Sequence, residues 1–251
     1  MARQRLGQHF LIRGSILERI ARAACPEHEA LVVEIGPGKG ALTTRLLARA
    51  DRVIALEIDS LLVHSLAPLQ AADPRLAVVE ADALHIDLAQ WGPAVIAGNL
   101  PYYAATAIME RAVALGSTMR RGVFLMQKEV AARVTASPGS RDYGYLSVAI
   151  QFSAGVEFLF EVKPAAFQPP PKVDSAVVRF TPRDRAELGI AHRADFLSFV
   201  ALCFRQKRKT LRNNLAARYG ASIDGWPEAG QRAEQIGIAE FAAMYRRLAL
   251  R

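Results

Sequence analysis

Asn99-Leu100-Pro101-Tyr102 follow the apolar run Ala94–Ala97 almost directly, and they are the segment of this 251-residue chain best suited to chemistry. An exocyclic amine on an aromatic ring is a poor nucleophile, because its lone pair is delocalised into the ring. Two acceptors that hold its hydrogens direct that lone pair outward, and no strong base is then needed. The Asn99 side-chain oxygen can be one acceptor. The Leu100 carbonyl can be the other, since Pro101 forces the backbone before it to be extended. Tyr102 offers a flat face on which a base can stack. The plainer alternative is a strand-to-loop turn with a buried tyrosine.

Three further sites end apolar runs in the same way. Glu34-Ile35-Gly36-Pro37-Gly38-Lys39-Gly40 follows the first run, and its glycines let a ligand approach the backbone where a helix start would present free N–H groups. Ala41 completes a GxGxxA spacing, so the turn alone suits a dinucleotide or an adenosyl ligand. Glu57 lies 21 positions past Gly36 and can accept hydrogen bonds from both ribose hydroxyls. Asp82 can accept from an adenine amino group, with small Ala81 and Ala83 leaving room for the ring. The five histidines, His9, His28, His64, His85 and His192, show no metal-ligand spacing, and no metal is expected. Cys25 and Cys203 are far apart, which excludes a disulfide scaffold or a thiolate zinc site and fits a reducing compartment.

The elements that must position these residues are legible as alternating patterns. Leu31–Ile35, Val53–Leu56, Leu76–Val79, Ala94–Ala97 and Val123–Met126 are short aliphatic runs of the kind that form buried parallel strands. Helical spacing separates them at Ala41–Ala50, Ser60–Leu69, Ala104–Leu115 and Lys128–Ala136. The alternation predicts a doubly wound α/β sheet, with ligands at the carboxyl ends of its strands. Val156–Val162 and Val173–Phe180 read as an antiparallel hairpin closing the sheet, with the proline-rich Phe167–Val173 stretch as an extended loop between them. In Tyr145–Phe152, Leu146, Val148, Ile150 and Phe152 alternate with smaller or polar residues, a period that favours a strand. Phe196, Phe199, Val200, Cys203 and Phe204 fall on one face of an amphipathic helix, and the pattern stays helical to the end of the chain. The reading is a catalytic α/β domain over 1–182 and a small helical domain over 183–251.

Charge separates the same two parts. The chain carries 32 Lys and Arg against 24 Asp and Glu, net +8. Residues 179–251 hold 14 basic and 7 acidic residues, so nearly all of the excess lies there, and a nucleic-acid partner ranks ahead of a membrane. Within it, Arg205, Lys207, Arg208, Lys209 and Arg212 are candidate phosphate contacts; the plainer alternative is the solvated face of the helix holding Phe199 and Cys203. Apolar residues make up 51% of the chain, no run approaches a membrane span, and no signal-peptide core is evident, so a cytoplasmic globular protein is expected.

The chain resembles the ribosomal RNA adenine dimethyltransferases. The resemblance rests on Gln8-His9-Phe10-Leu11, the Glu34–Thr43 glycine turn, Glu57, Asp82, Asn99–Tyr102, Phe167–Ser175 and Arg205–Leu215, which span nearly the whole chain in the family's order. It implies a Rossmann-like class I methyltransferase sheet that uses S-adenosylmethionine and releases S-adenosylhomocysteine. Gly36 and Gly38 would line the methionine end, Glu57 would hold the ribose and Asp82 the adenine, while His9 and Leu11 would close over the cofactor beside Asn99. Asn99, Leu100 and Pro101 would position the target amine, with Tyr102 and Phe167 stacking on an extruded adenine. The implied substrate is a pair of adjacent adenosines in the 3′-terminal hairpin loop of small-subunit (16S) rRNA, each methylated twice, by a monomer acting on the small ribosomal subunit. The resemblance also implies a helix at Tyr145–Phe152, against the periodicity. The family often has asparagine where this chain has His9 and Tyr103. Large-subunit rRNA methylation, a nicotinamide oxidoreductase and a non-catalytic ribosome-assembly factor are the competing readings.

Overall fold

The structure, a computed structural model, describes residues 9–184 and 188–249. Gln8 of the family-like N-terminal segment lies outside them, as do 185–187, 250 and 251 of the expected helical domain. The strands are β1 (Phe10–Leu11), β2 (Val32–Ile35), β3 (Val53–Glu57), β4 (Leu76–Glu80), β5 (Ala94–Asn99), β6 (Met119–Gln127), β7 (Ala154–Val162), β8 (Phe167–Gln168) and β9 (Ser175–Pro182). The α-helices are α1 (Gly14–Ala24), α2 (Thr43–Leu47), α3 (Ser60–Ala72), α4 (Ala105–Ala114), α5 (Lys128–Thr135), α6 (Tyr145–Gln151), α7 (Arg193–Cys203), α8 (Leu211–Tyr219) and α9 (Ile238–Ala249).

The chain forms two compact units, and they do not follow a single cut after residue 182. One runs through Ala131 and includes Ala154–Pro182; the other joins Ala132–Ser153 to the chain from Arg183 onward. The reason is in α6. Its Ala149, and Phe152 just after it, pack in one core with Phe196, Phe199 and Val200 of α7, and the Phe152 and Phe196 rings lie 4.6 Å apart. These residues belong to the helical core, although the 29 residues Ala154–Pro182 of the sheet unit separate them from the rest of it in sequence.

In the first unit a seven-stranded sheet runs in the order β4-β3-β2-β5-β6-β9-β7. The first five strands in that order are parallel, and β9 lies antiparallel between β6 and β7. Val32, Val53, Ala55, Val95, Ala97, Val123 and Leu125 are buried with Leu17, Ile20 and Ala21 of α1 and Leu46 of α2. The alternate residues Val33, Ile54, Leu56, Ile96 and Phe124 are buried as well. Burial on both faces is why these strands read as continuous apolar runs.

α6 is a helix, so the strand expected from alternation at Tyr145–Phe152 is corrected and the family-based expectation holds. The polar residues that produced the alternation do not face water. Ser147 Oγ donates to the Arg133 carbonyl at 2.6 Å, and Gln151 Nε2 donates to the Val134 and Ala136 carbonyls at 2.9 and 2.8 Å. They satisfy the open end of α5 from inside the core, so the period carried no information about a solvent face. The basic run also differs from its helix-face alternative. α7 ends at Cys203, and Arg205, Lys207, Arg208 and Lys209 lie exposed in the connection to α8, with Arg212 exposed in α8 itself. No helix among the described residues is long and apolar enough to cross a membrane.

Candidate active site

The parallel strands put their carboxyl ends on one edge of the sheet, and the candidate residues follow from that. Asp82 comes two residues after β4, Glu57 ends β3, Gly36 follows β2 and Asn99 ends β5, so four neighbouring strands each deliver one group. β2 sits between β3 and β5, where successive connections leave in opposite senses; that switch point opens a crevice. A cavity of about 720 Å³ lies there, a size suited to a small organic ligand. His9, Leu11, Gly36, Gly38, Glu57, Asp82, Asn99, Leu100, Pro101 and Tyr102 all line it. Phe167 does not. It is 4% exposed, pairs with Leu11 through the β1–β8 ladder, and packs in the core of the sheet unit. The expected stacking of Phe167 on a base is therefore not prepared in this conformation: its ring supports the strand that carries the cavity wall.

The glycine turn is a loop and not a helix start. α2 begins only at Thr43 and spans five residues, shorter than the helix expected over Ala41–Ala50. The Gly38 N–H bonds to Glu57 Oε2 at 3.1 Å. Gly38 has φ +57°, and a Cβ there would press on the Phe10 ring at 3.1 Å. Only glycine combines that left-handed backbone with that approach.

Glu57 is buried and accepts three backbone N–H groups: Gly38 at 3.1 Å, Ile58 at 2.9 Å and Asp59 at 3.0 Å. Burial raises its pKa above the usual carboxylate range, while those donors pull it back. Asp82 Oδ1 accepts the Leu84 N–H at 2.8 Å, and Oδ2 pairs with His85 Nδ1 at 2.9 Å.

Asn99 Nδ2 donates to the His9 carbonyl at 3.0 Å, which leaves Oδ1 as the accepting end of a fixed amide. The Leu100 N–H donates to the Leu125 carbonyl at 3.0 Å, so the Asn99–Leu100 peptide plane is held by β6. The Tyr102 hydroxyl bonds Ser175 Oγ at 2.9 Å, and its ring lies 5.8 Å from the His9 ring. His9 is itself tied to the Pro169 carbonyl by Nδ1 at 2.8 Å. The N-terminal segment and the proline loop thus brace Asn99 and Tyr102 together.

Glu34 was not singled out from the sequence, although a glutamate inside the Val32–Ile35 run was the available signal. It is 1% exposed and lines the cavity, and its Oε2 has no hydrogen-bond partner among the described residues. Burial, reinforced by the neighbouring Glu57 charge, pushes its pKa up to about 7. A buried acceptor without a donor calls for one from a ligand or water. With Glu57 and Asp82, this wall suits a ligand that brings hydroxyl and amino donors and positive charge. S-adenosylmethionine carries all three, so the residues fit it. Among the described residues no cluster of His, Cys, Asp and Glu is arranged to hold a metal ion.

Known proteins resemble this chain over nearly its whole length. The family described as "Ribosomal RNA adenine dimethylase" matches residues 1–249. The ribosomal RNA small subunit methyltransferase A of Bordetella bronchiseptica is 44% identical over 248 residues, covering 97% of this chain and 92% of the relative. The protein of the same name from Legionella pneumophila (strain Corby) is 40% identical and covers 96% of both chains. Among solved structures, a dimethyladenosine transferase from Plasmodium falciparum shares the fold with a TM-score of 0.83, 23% identity and 96% coverage of both chains. The 23S rRNA methyltransferase ErmE matches with a TM-score of 0.75 and 29% identity, covering 96% of this chain and 99% of its own. The class I methyltransferase sheet expected from the sequence is therefore the fold, and the oxidoreductase reading is set aside. With residues 1–249 of its 251 matched, the chain belongs to the ribosomal RNA adenine dimethylase family.

Proposed function

We propose that this enzyme uses S-adenosylmethionine to dimethylate N6 of two adjacent adenosines in the 3′-terminal hairpin loop of small-subunit (16S) rRNA, in the cytoplasm, as a step in subunit maturation. The observation that carries the reading is the Asn99 amide. Its nitrogen is committed to the His9 carbonyl, so its oxygen is the end available to an incoming amine, next to the Leu100 carbonyl. The relatives named for small-subunit methylation, 40–44% identical, favour that substrate over the large-subunit RNA named for ErmE.

The roles of this chain's residues follow. Glu57 would hold the ribose hydroxyls, Asp82 the adenine amino group, and Gly36 and Gly38 the amino-acid end, with His9 and Leu11 closing the mouth. The bound cofactor supplies an electrophilic methyl on sulfur and leaves as S-adenosylhomocysteine. Asn99 Oδ1 and the Leu100 carbonyl accept the two amine hydrogens and turn the lone pair toward the methyl. Tyr102, fixed by Ser175, gives the extruded base a face to stack on. Extruding a loop adenine costs a few kcal/mol at most, because its stacking is already weakened. Catalysis is then mainly orientation, and the proton leaves to solvent after transfer. The exposed cations Arg205, Lys207, Arg208, Lys209 and Arg212 would contact phosphates, giving the helical unit the RNA-binding role.

The test is incubation with labelled S-adenosylmethionine and unmethylated small subunits, followed by mass mapping. Two adjacent dimethyladenosines are expected. Asn99→Ala should abolish transfer and leave S-adenosylhomocysteine affinity within a few fold. Label only on large-subunit RNA, or near-normal turnover by Asn99→Ala, refutes the reading.

A further inference from the structure

Tyr103 takes no part in the arrangement above. It is 67% exposed, yet it lines the same cavity as Asn99 and Tyr102. The contrast with its neighbour is sharp. Tyr102 has its hydroxyl on Ser175 and its ring beside His9, whereas no hydrogen bond or ring contact engages the Tyr103 side chain among the described residues. Single exposed apolar side chains are ordinary on protein surfaces. This one is set apart by its place, one residue beyond the segment that clasps the amine and at the rim where a strand must enter.

Resting on the RNA-adenine reading, we propose that Tyr103 is a second stacking platform, for the nucleobase flanking the one admitted to the cavity. When a base leaves its stack, its neighbour loses a partner on one face. The flanking base stays outside, because the strand reaches the cavity only through the rim. An uncommitted aromatic ring covers a bare base face without reading its identity. Ile12, 55% exposed, also lines the cavity. For two adjacent target adenosines, one of the two bases flanking each is the other adenosine.

The test compares wild type, Tyr103→Ala and Tyr103→Phe on unmethylated small subunits with labelled S-adenosylmethionine, alongside S-adenosylhomocysteine binding by calorimetry. Tyr103→Ala should lower kcat/KM roughly 5- to 150-fold, the equivalent of about 1–3 kcal/mol for one lost base stack, with S-adenosylhomocysteine affinity unchanged. Tyr103→Phe, which keeps the ring, should restore most of the loss. Replacing the flanking adenosine in the rRNA by uridine, a weaker stacker, should hurt wild type more than Tyr103→Ala. Equal kcat/KM for Tyr103→Ala and wild type overturns the inference while leaving the proposed function standing. So does a Phe variant as defective as Ala, an equal uridine penalty in both backgrounds, or a parallel loss of S-adenosylhomocysteine affinity. Failure of wild type to label small subunits at all would instead bring down the proposed function.

Discussion

Gly98→Ala tests how the sheet sets the site. Gly98 is the Cα partner of Ile35 across β2 and β5, one residue before Asn99. A Cβ at Gly98 would sit well inside 3.0 Å of the Ile35 carbonyl oxygen, a backbone atom that cannot rotate away. Strands are held about 4.8 Å apart by ladder bonds near 2.9 Å, so relieving the clash must stretch those bonds. Overpacking costs about 1–3 kcal/mol, and weakening one or two buried ladder bonds adds about 0.5–1.5 each, giving roughly 1.5–6 kcal/mol. For a chain of this size about 2–4 °C of Tm accompanies each kcal/mol, so a fall of roughly 3–24 °C is expected in differential scanning calorimetry. The same displacement reaches the ligand wall. A Cβ at Gly36 would be 3.4 Å from the Asn99 carbonyl oxygen, so the two backbones lie close together across the switch point. S-adenosylhomocysteine affinity should drop at least about tenfold, since a misplacement of roughly 1 Å can cost that much or more. A variant with Tm within 2 °C of wild type and unaltered affinity would show that the close strand approach does not organise the site.

Two further outcomes follow from buried polar groups. Glu34 is raised from 4.5 to about 7, so between those values the folded chain keeps a proton that the unfolded chain has lost, and stability falls as pH rises through that window. The full effect is about 3 kcal/mol at pH above 7, and Glu34→Gln should flatten the pH 5–8 dependence of the urea midpoint; a slope parallel to wild type would refute the assignment. Asn214 is buried, accepts the Gln206 N–H at 3.0 Å, and donates to the Cys203 and Gln206 carbonyls at 2.9 and 3.2 Å, anchoring the loop that carries the basic run. Asn214→Ala should destabilise by about 2–4 kcal/mol and speed hydrogen exchange at the Gln206 amide, and unchanged protection there would contradict the anchoring role.

Much of this protein was determined by local sequence. Strands buried on both faces must be apolar throughout, so β2–β6 were legible as aliphatic runs, and the parallel arrangement then required Gly36, Glu57, Asp82 and Asn99 to share one edge. Only tertiary structure decided what depends on partners distant in the chain. Ser147 and Gln151 mimicked a strand because their hydrogen bonds run inward to α5 carbonyls, which no residue pattern reveals. Phe167 is drawn into the core by the β1–β8 ladder, while Phe10, Tyr102 and Tyr103 line the cavity. The Asn99 amide takes its orientation from a main-chain carbonyl 90 residues away. Residue type specifies what a group can donate or accept; packing specifies which bonds it makes, because burial removes the water that would otherwise serve every partner equally.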